Sequence, residues 1–277
     1  MSSAWDEGAH PDARPLGQGD RLRVVLRGGA LIVLVAGGLI ALLALRLIER
    51  PVFGQGRPWT PYVTQFVCRT AFRIMGIGFT ISGVPMPQHG AVVANHSSWL
   101  DIFALNAAKR IYFVSKSEVA GWPGIGWLAR ATGTVFIVRD RARAREQTKL
   151  FEDRLLAGHK LLFFPEGTST DGRQVISFKT TLFQSFFAQN IKERIAVQPV
   201  SVLYTAPPGA DARFYGWWGN MDLAPHLLAT LAPAQQGQVH VAYHTPLRVA
   251  DFADRKALAL ACEEAVRAGH HALLAAP

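Results

Sequence analysis

Three short segments of the sequence combine residue types able to move a proton or hold an anion. In Asn95-His96-Ser97-Ser98-Trp99-Leu100-Asp101 a histidine is followed five positions later by a carboxylate. Five positions do not share one helical face, so the spacing places His96 at a turn and Asp101 in the first turn of the next helix, looking back. Such a pair can act as a dyad: neutral imidazole accepts a proton near neutral pH, and a carboxylate on its other ring nitrogen fixes the tautomer and stabilises the imidazolium. The same residues equally fit a plain helix start, with Ser97 or Ser98 as cap beside a satisfied histidine.

The second segment, Phe163 to Gly172, brings Pro165, Glu166, Gly167 and Thr168 together after an apolar run. Gly167 permits close backbone approach, while Glu166 and Thr168 can hydrogen-bond a hydroxylated ligand; alone, the segment also reads as an ordinary turn. The third, Gly133 to Arg139, ends in a guanidinium able to fork onto a phosphate or carboxylate. Arg141, Arg143 and Arg145 follow at spacing two, share no single helical face, and read as solvated. The chain has no Gly-x-Ser-x-Gly elbow, Walker loop, Gly-x-Gly-x-x-Gly or His-Glu-x-x-His, which lowers the serine hydrolase, nucleotide-phosphate and metalloprotease readings.

These segments need strands and helices to position them. From Ile77 onward, β-branched or apolar runs (Gly78–Ser82, Ala91–Ala94, Ile111–Val114, Val135–Val138, Leu161–Phe164, Ala196–Leu203 and Val239–Tyr243) alternate with helical patterns at Ser98–Ala108, Val119–Ala131, Arg141–Ala157, Lys179–Gln189 and Asp251–Leu274. The alternation predicts an α/β domain with its sheet covered by helices, whose chemistry lies in the loops after the strands. The first two segments fall in such loops.

Composition bounds the partners. The 277 residues are 49% hydrophobic and carry a net charge of +9, which excludes collagen-like and wholly disordered chains and favours an anionic partner. Cys68 and Cys262 are too few and too far apart for a disulfide framework or a cysteine zinc site, and fit a reducing compartment. The uncharged run Gly28–Leu45 would reach about 27 Å as a helix, near the thickness of a bilayer core. A retained membrane helix is the reading taken: the run starts late, is long for a signal peptide and is followed by Arg46, Glu49, Arg50 and Pro51 and not by a small-residue cleavage site, and a buried core helix is the alternative. Arginines flank the run on both sides, so charge does not orient it, and a helix or helical pair entering one leaflet is equally compatible. In Pro61–Met75 the polar Gln65, Arg69 and Arg73 recur every four positions, leaving an apolar face for a membrane or for the core. The resulting division is a tail at 1–20, a membrane-anchoring helical segment at 21–76 and an α/β domain at 77–277. Arg213 to Gly219 gathers aromatic residues that suit either a membrane interface or core packing.

Taken in order, Asn95–Asp101, Gly133–Arg139, Phe164–Thr168 and the late strand proline Pro199 resemble the blocks of the 1-acylglycerol-3-phosphate acyltransferase (lysophospholipid acyltransferase) family, over about Gly78 to Leu203. The resemblance implies a mixed-sheet α/β enzyme that moves a fatty acyl group from a thioester to the hydroxyl of a lysolipid. Coenzyme A or acyl carrier protein carries the acyl group as co-substrate, with no other cofactor and no metal. His96 is then the general base, Asp101 orients it, and Arg139, Glu166, Gly167 and Thr168 position the acceptor. Membrane lipid becomes the expected partner, nucleic acid is not one, and the expected location is the inner membrane, with the catalytic domain facing the cytoplasm. Many family members continue Glu-Gly-Thr with Arg-Ser, whereas Ser169-Thr170 stand here; with Asp171-Gly172 this resembles the branch acylating lyso-ornithine lipid. Two other classes stay open on the residues alone: a membrane-tethered binder of anionic lipid without catalysis, and a lipid hydrolase using Ser97 or Ser98.

Overall fold

A computed structural model describes residues 5, 9–11, 15–137 and 144–276. Eight strands, β1 (Gly78–Ser82), β2 (Gly90–Ala94), β3 (Tyr112–Lys116), β4 (Val135–Ile137), β5 (Leu161–Phe163), β6 (Ala196–Thr205), β7 (Gln238–Tyr243) and β8 (Leu247–Arg248), form one sheet. Its order is β1-β7-β6-β2-β5-β3-β4, with β8 pairing β6 off that path. β2 runs parallel to β5 and to β6, and β3 parallel to β5 and β4, whereas β6 and β7 are antiparallel. This is the expected mixed sheet. Around it pack α1 (Gln18–Phe53), α2 (Thr60–Met75), α3 (Leu100–Ala108), α4 (Ile125–Thr132), α5 (Ala144–Leu156), α6 (Leu223–Leu231) and α7 (Arg255–Ala275).

The central strands are buried on both faces, and their period of two sorts side chains into two cores. Val92, Ala94 and Leu162 face the layer of α2, α3 and α6. Ala91, Val93, Leu161 and Phe163 face α5, α7 and the 3-10 turn Leu182–Phe187. That turn replaces the helix expected over Lys179–Gln189: Phe183 and Phe186, three apart, eclipse in a 3-10 turn and are both buried. The helical pattern at Val119–Ala131 is likewise interrupted. Pro123 lacks an amide donor and Gly124 adopts φ +72°, so a 3-10 turn at Ser117–Gly121 precedes α4.

The apolar run near the N-terminus is part of one 36-residue helix that begins at Gln18, inside the segment read as tail. It is the one candidate among the described residues long and apolar enough to cross a membrane. Its start is tied to the α/β domain and its far end to α2. At the start, Arg23 Nε donates to Ala232 O (2.7 Å) and Arg27 to Leu231 O and Pro233 O (2.8 and 2.7 Å) after α6. Toward the other end, buried Glu49 accepts from Trp59 N, Thr60 N and the Thr60 hydroxyl at the start of α2. Between them Gly38 lets α2 approach closely; a Cβ there would fall on a Val67 methyl. In α2 two members of the polar stripe reach across to α3: Gln65 and Arg69 donate to Ala107 O, and Gln65 also to Ala108 O, capping the carbonyl end of α3, while Arg73 is exposed. Cys68, Phe72 and Met75 face the core, while Tyr62 and Phe66 stay exposed.

Candidate active site

Strand β2 delivers His96 two residues past its end, between the carboxyl ends of β5 and β6. Asn95 sets the exit: its amide nitrogen donates to Val202 O and its oxygen accepts from Val202 N, both at 2.8 Å, locking the strand end to β6. Asp101, in the first turn of α3, is wholly buried and looks back, as its spacing implied. Its Oδ2 lies 2.7 Å from His96 Nδ1 and accepts from Ser97 N (2.8 Å) and Ser98 N (3.0 Å). The carboxylate therefore holds the imidazole and ties the two serine amides ahead of α3 to the first turn of that helix. The His96 ring stacks on Phe164, with centroids 3.9 Å apart and planes at 10°. Nδ1 is engaged; Nε2, on a side chain 20% exposed, has no partner among the described residues. A hydroxyl brought to Nε2 would meet a base whose tautomer is fixed from behind.

Ser97 and Ser98 are buried, and Ser98 Oγ accepts from Leu100 N. Neither hydroxyl bonds the histidine, so the constellation lacks the exposed nucleophile that a serine hydrolase requires.

Glu166 was expected to face a ligand, yet it is wholly buried and both its oxygens are taken. Oε2 accepts from His96 N at 2.6 Å and Oε1 from Ile176 N at 3.0 Å. It braces the histidine loop against its own loop. Burial pushes its carboxyl up to about 8, while the two amide donors pull the other way. Gly167 adopts φ +74°, a conformation open to glycine, and Lys179 Nζ lies 2.8 Å from where a Cβ would project. Thr168 is half-buried; its hydroxyl donates to Ser169 O (3.3 Å) and accepts from Trp5 N (3.4 Å). The amide of Thr168 has no acceptor among the described residues. Thr170 closes the loop over the histidine, its N–H donating to His96 O at 2.9 Å. Arg139, Arg141 and Arg143 lie outside the described residues.

Sequence reasoning missed Tyr204, whose hydroxyl donates to Asp101 Oδ1 at 2.8 Å. The signal was present: Val200, Val202 and Tyr204 share one face of β6, so a hydroxyl was headed for the α3 side of the sheet. The aromatic cluster after Arg213 resolves as packing for Tyr215 and Trp218, which are both buried.

The family model described as Acyltransferase matches residues 80–203. Over 265 residues the chain is 56% identical to the lyso-ornithine lipid O-acyltransferase of Rhodobacter capsulatus, covering 96% of either chain. It is 31% identical over 204 residues to the 1-acyl-sn-glycerol-3-phosphate acyltransferase of Neisseria meningitidis, which covers 72% of this chain and 77% of that one. In fold it matches the crystal structure of the 1-acyl-sn-glycerophosphate acyltransferase of Thermotoga maritima with a TM-score of 0.66. That match has 22% identity and covers 93% of this chain and 97% of that one.

Proposed function

Because the chain belongs to the 1-acylglycerol-3-phosphate acyltransferase (lysophospholipid acyltransferase) family and is a lysolipid acyltransferase, we propose that it acylates lyso-ornithine lipid in preference to 1-acylglycerol-3-phosphate, with His96 as general base. The observation that carries the mechanism is the buried Asp101 carboxylate 2.7 Å from His96 Nδ1, which leaves Nε2 outward. The acceptor hydroxyl gives its proton to Nε2 as its oxygen bonds to the thioester carbonyl carbon. The tetrahedral intermediate then collapses, the carbon–sulfur bond breaks, and the thiolate takes the proton from the imidazolium. An activated thioester needs mainly alignment and deprotonation, so no acyl-enzyme is required.

The unengaged amide of Thr168, presented by the Gly167 turn, is the proposed donor to the oxyanion. Glu166 serves as a brace, and because its carboxyl is largely neutral at pH 7 it places little negative charge under that loop. Lys179, beside Gly167, supplies a cation for the acceptor's carboxylate or phosphate. The acceptor preference is supported by the name and identity of the Rhodobacter relative and by Ser169-Thr170 in place of Arg-Ser. The donor is an acyl thioester of coenzyme A or of acyl carrier protein.

The chain's long apolar helix and its family support membrane association. With the start of α1 bonded to the end of α6 and its far end to the start of α2, the helix is proposed to lie along the cytoplasmic leaflet of the inner membrane without placing protein on the far side. Two sets of assays test these readings. Lyso-ornithine lipid and lysophosphatidic acid are each offered with both thioesters and the products are weighed by mass spectrometry; equal or greater turnover of lysophosphatidic acid refutes the preference. His96→Ala should lose on the order of 10²–10⁴ in turnover while remaining folded, and wild-type turnover in that variant refutes the base.

A further inference from the structure

We propose that Tyr204 is a positioning residue for the proton transfer, acting through Asp101, so that the working unit is a His96–Asp101–Tyr204 relay; this rests on His96 being the base. Asp101 has no contact with solvent, and its oxygens are unequally served. Among the described residues, Oδ2 receives the imidazole, Ser97 N and Ser98 N, whereas Oδ1 receives only the Tyr204 hydroxyl at 2.8 Å. A buried carboxylate oxygen without a donor is costly, so this one bond settles how the charge is shared between the two oxygens. It also fixes the carboxylate plane, because a group held at both oxygens cannot rotate Oδ2 away from Nδ1.

Tyr204 is equipped for this role. It is almost wholly buried, and burial beside a carboxylate raises its hydroxyl well above the ordinary phenol range, so it stays a donor. Its ring packs against Tyr215 with centroids 5.7 Å apart. Tyr215 is pinned in turn, donating to Gln236 Oε1 at 2.6 Å and accepting from Gly237 N at 2.9 Å. The donor thus comes from β6 and the base from the end of β2, two adjacent parallel strands locked together by Asn95. Without the hydroxyl, the negative charge concentrates on the histidine side. The imidazolium is then held more tightly, accepting its proton at higher pH and releasing it to the leaving thiolate more slowly.

The test is the pH dependence of kcat/KM for full-length Tyr204→Phe in detergent, beside Tyr215→Phe, which disturbs the same aromatic stack without touching Asp101. Expected for Tyr204→Phe are a kcat about tenfold lower, an unchanged KM and an acidic limb moved up by about one pH unit; Tyr215→Phe should leave the limb in place. Adding Tyr204→Phe to Asp101→Asn should cost nothing further, because the hydroxyl acts only through that carboxylate. An unmoved limb in Tyr204→Phe, or independent multiplying losses in the double variant, overturns the proposal. Should Tyr204→Phe not fold, the Asp101→Asn double variant folds if the bare carboxylate is the cause; its failure to fold assigns Tyr204 to packing and overturns the proposal as well. A fully active His96→Ala would instead remove the underlying base assignment.

Discussion

Replacing Glu166 by glutamine separates the charge of the buried carboxyl from its shape. Between an ordinary glutamate at 4.5 and about 8 in the fold, the folded protein binds more protons than the unfolded chain. The free energy of unfolding therefore falls as pH rises through that window, and the loss is complete above it. At about 1.4 kcal/mol per pH unit, the gap is worth about 5 kcal/mol. Glutamine does not titrate, so Glu166→Gln escapes that loss. It carries its own cost, since its amide nitrogen cannot accept and leaves either His96 N or Ile176 N without a partner, about 1–3 kcal/mol at every pH. The two stability curves should cross, with the variant weaker near pH 5 and stronger by about 2–4 kcal/mol near pH 9. Urea unfolding in detergent micelles, followed by circular dichroism at fixed ionic strength from pH 5 to 9, measures this. A constant offset between the curves would refute the reasoning, because it would mean that the buried carboxyl does not take up its proton in this window.

Three further substitutions probe the scaffold. Gly167→Ala forces a side chain into φ +74°, at about 1–2 kcal/mol; kcat should fall at least tenfold as the Thr168 amide turns away, measured beside the melting temperature. Gly38→Val collides with Val67, and the overpacking should lower stability by about 1–3 kcal/mol in thermal unfolding. Arg27→Ala strips the donor from Leu231 O and Pro233 O, costing about 2 kcal/mol and increasing proteolytic nicking near residues 231–236.

Legibility in the sequence followed locality. The β1 bounds and the contact between His96 and Asp101 emerge from patterns spanning a few residues, because strand period and the five-residue spacing are local properties. Glu166 was misplaced because its partners, His96 N and Ile176 N, are backbone groups that no side-chain pattern advertises. Tyr204 sits 103 positions from Asp101, and its role exists only once β6 lies beside β2. Helix α6 went unread because Leu223–Leu231 is nearly all apolar and carries Pro225 in its first turn, leaving little periodic contrast. The polar stripe of α2 was visible, but its destination at the end of α3 depends on tertiary packing.

The arginine latch between α1 and the end of α6 sets an order of events during synthesis. Arg27 and its acceptor Leu231 O lie 204 positions apart, so at roughly 5–20 residues per second the ribosome needs on the order of 10–40 s to deliver the second half of the latch. Throughout that interval the long apolar run of α1 is already made and has neither its latch nor the sheet behind α2 to lie against. A lipid surface could shelter it at that stage. Attachment to the bilayer would thus precede completion of the catalytic domain, and the enzyme would finish folding at the surface where its substrate resides.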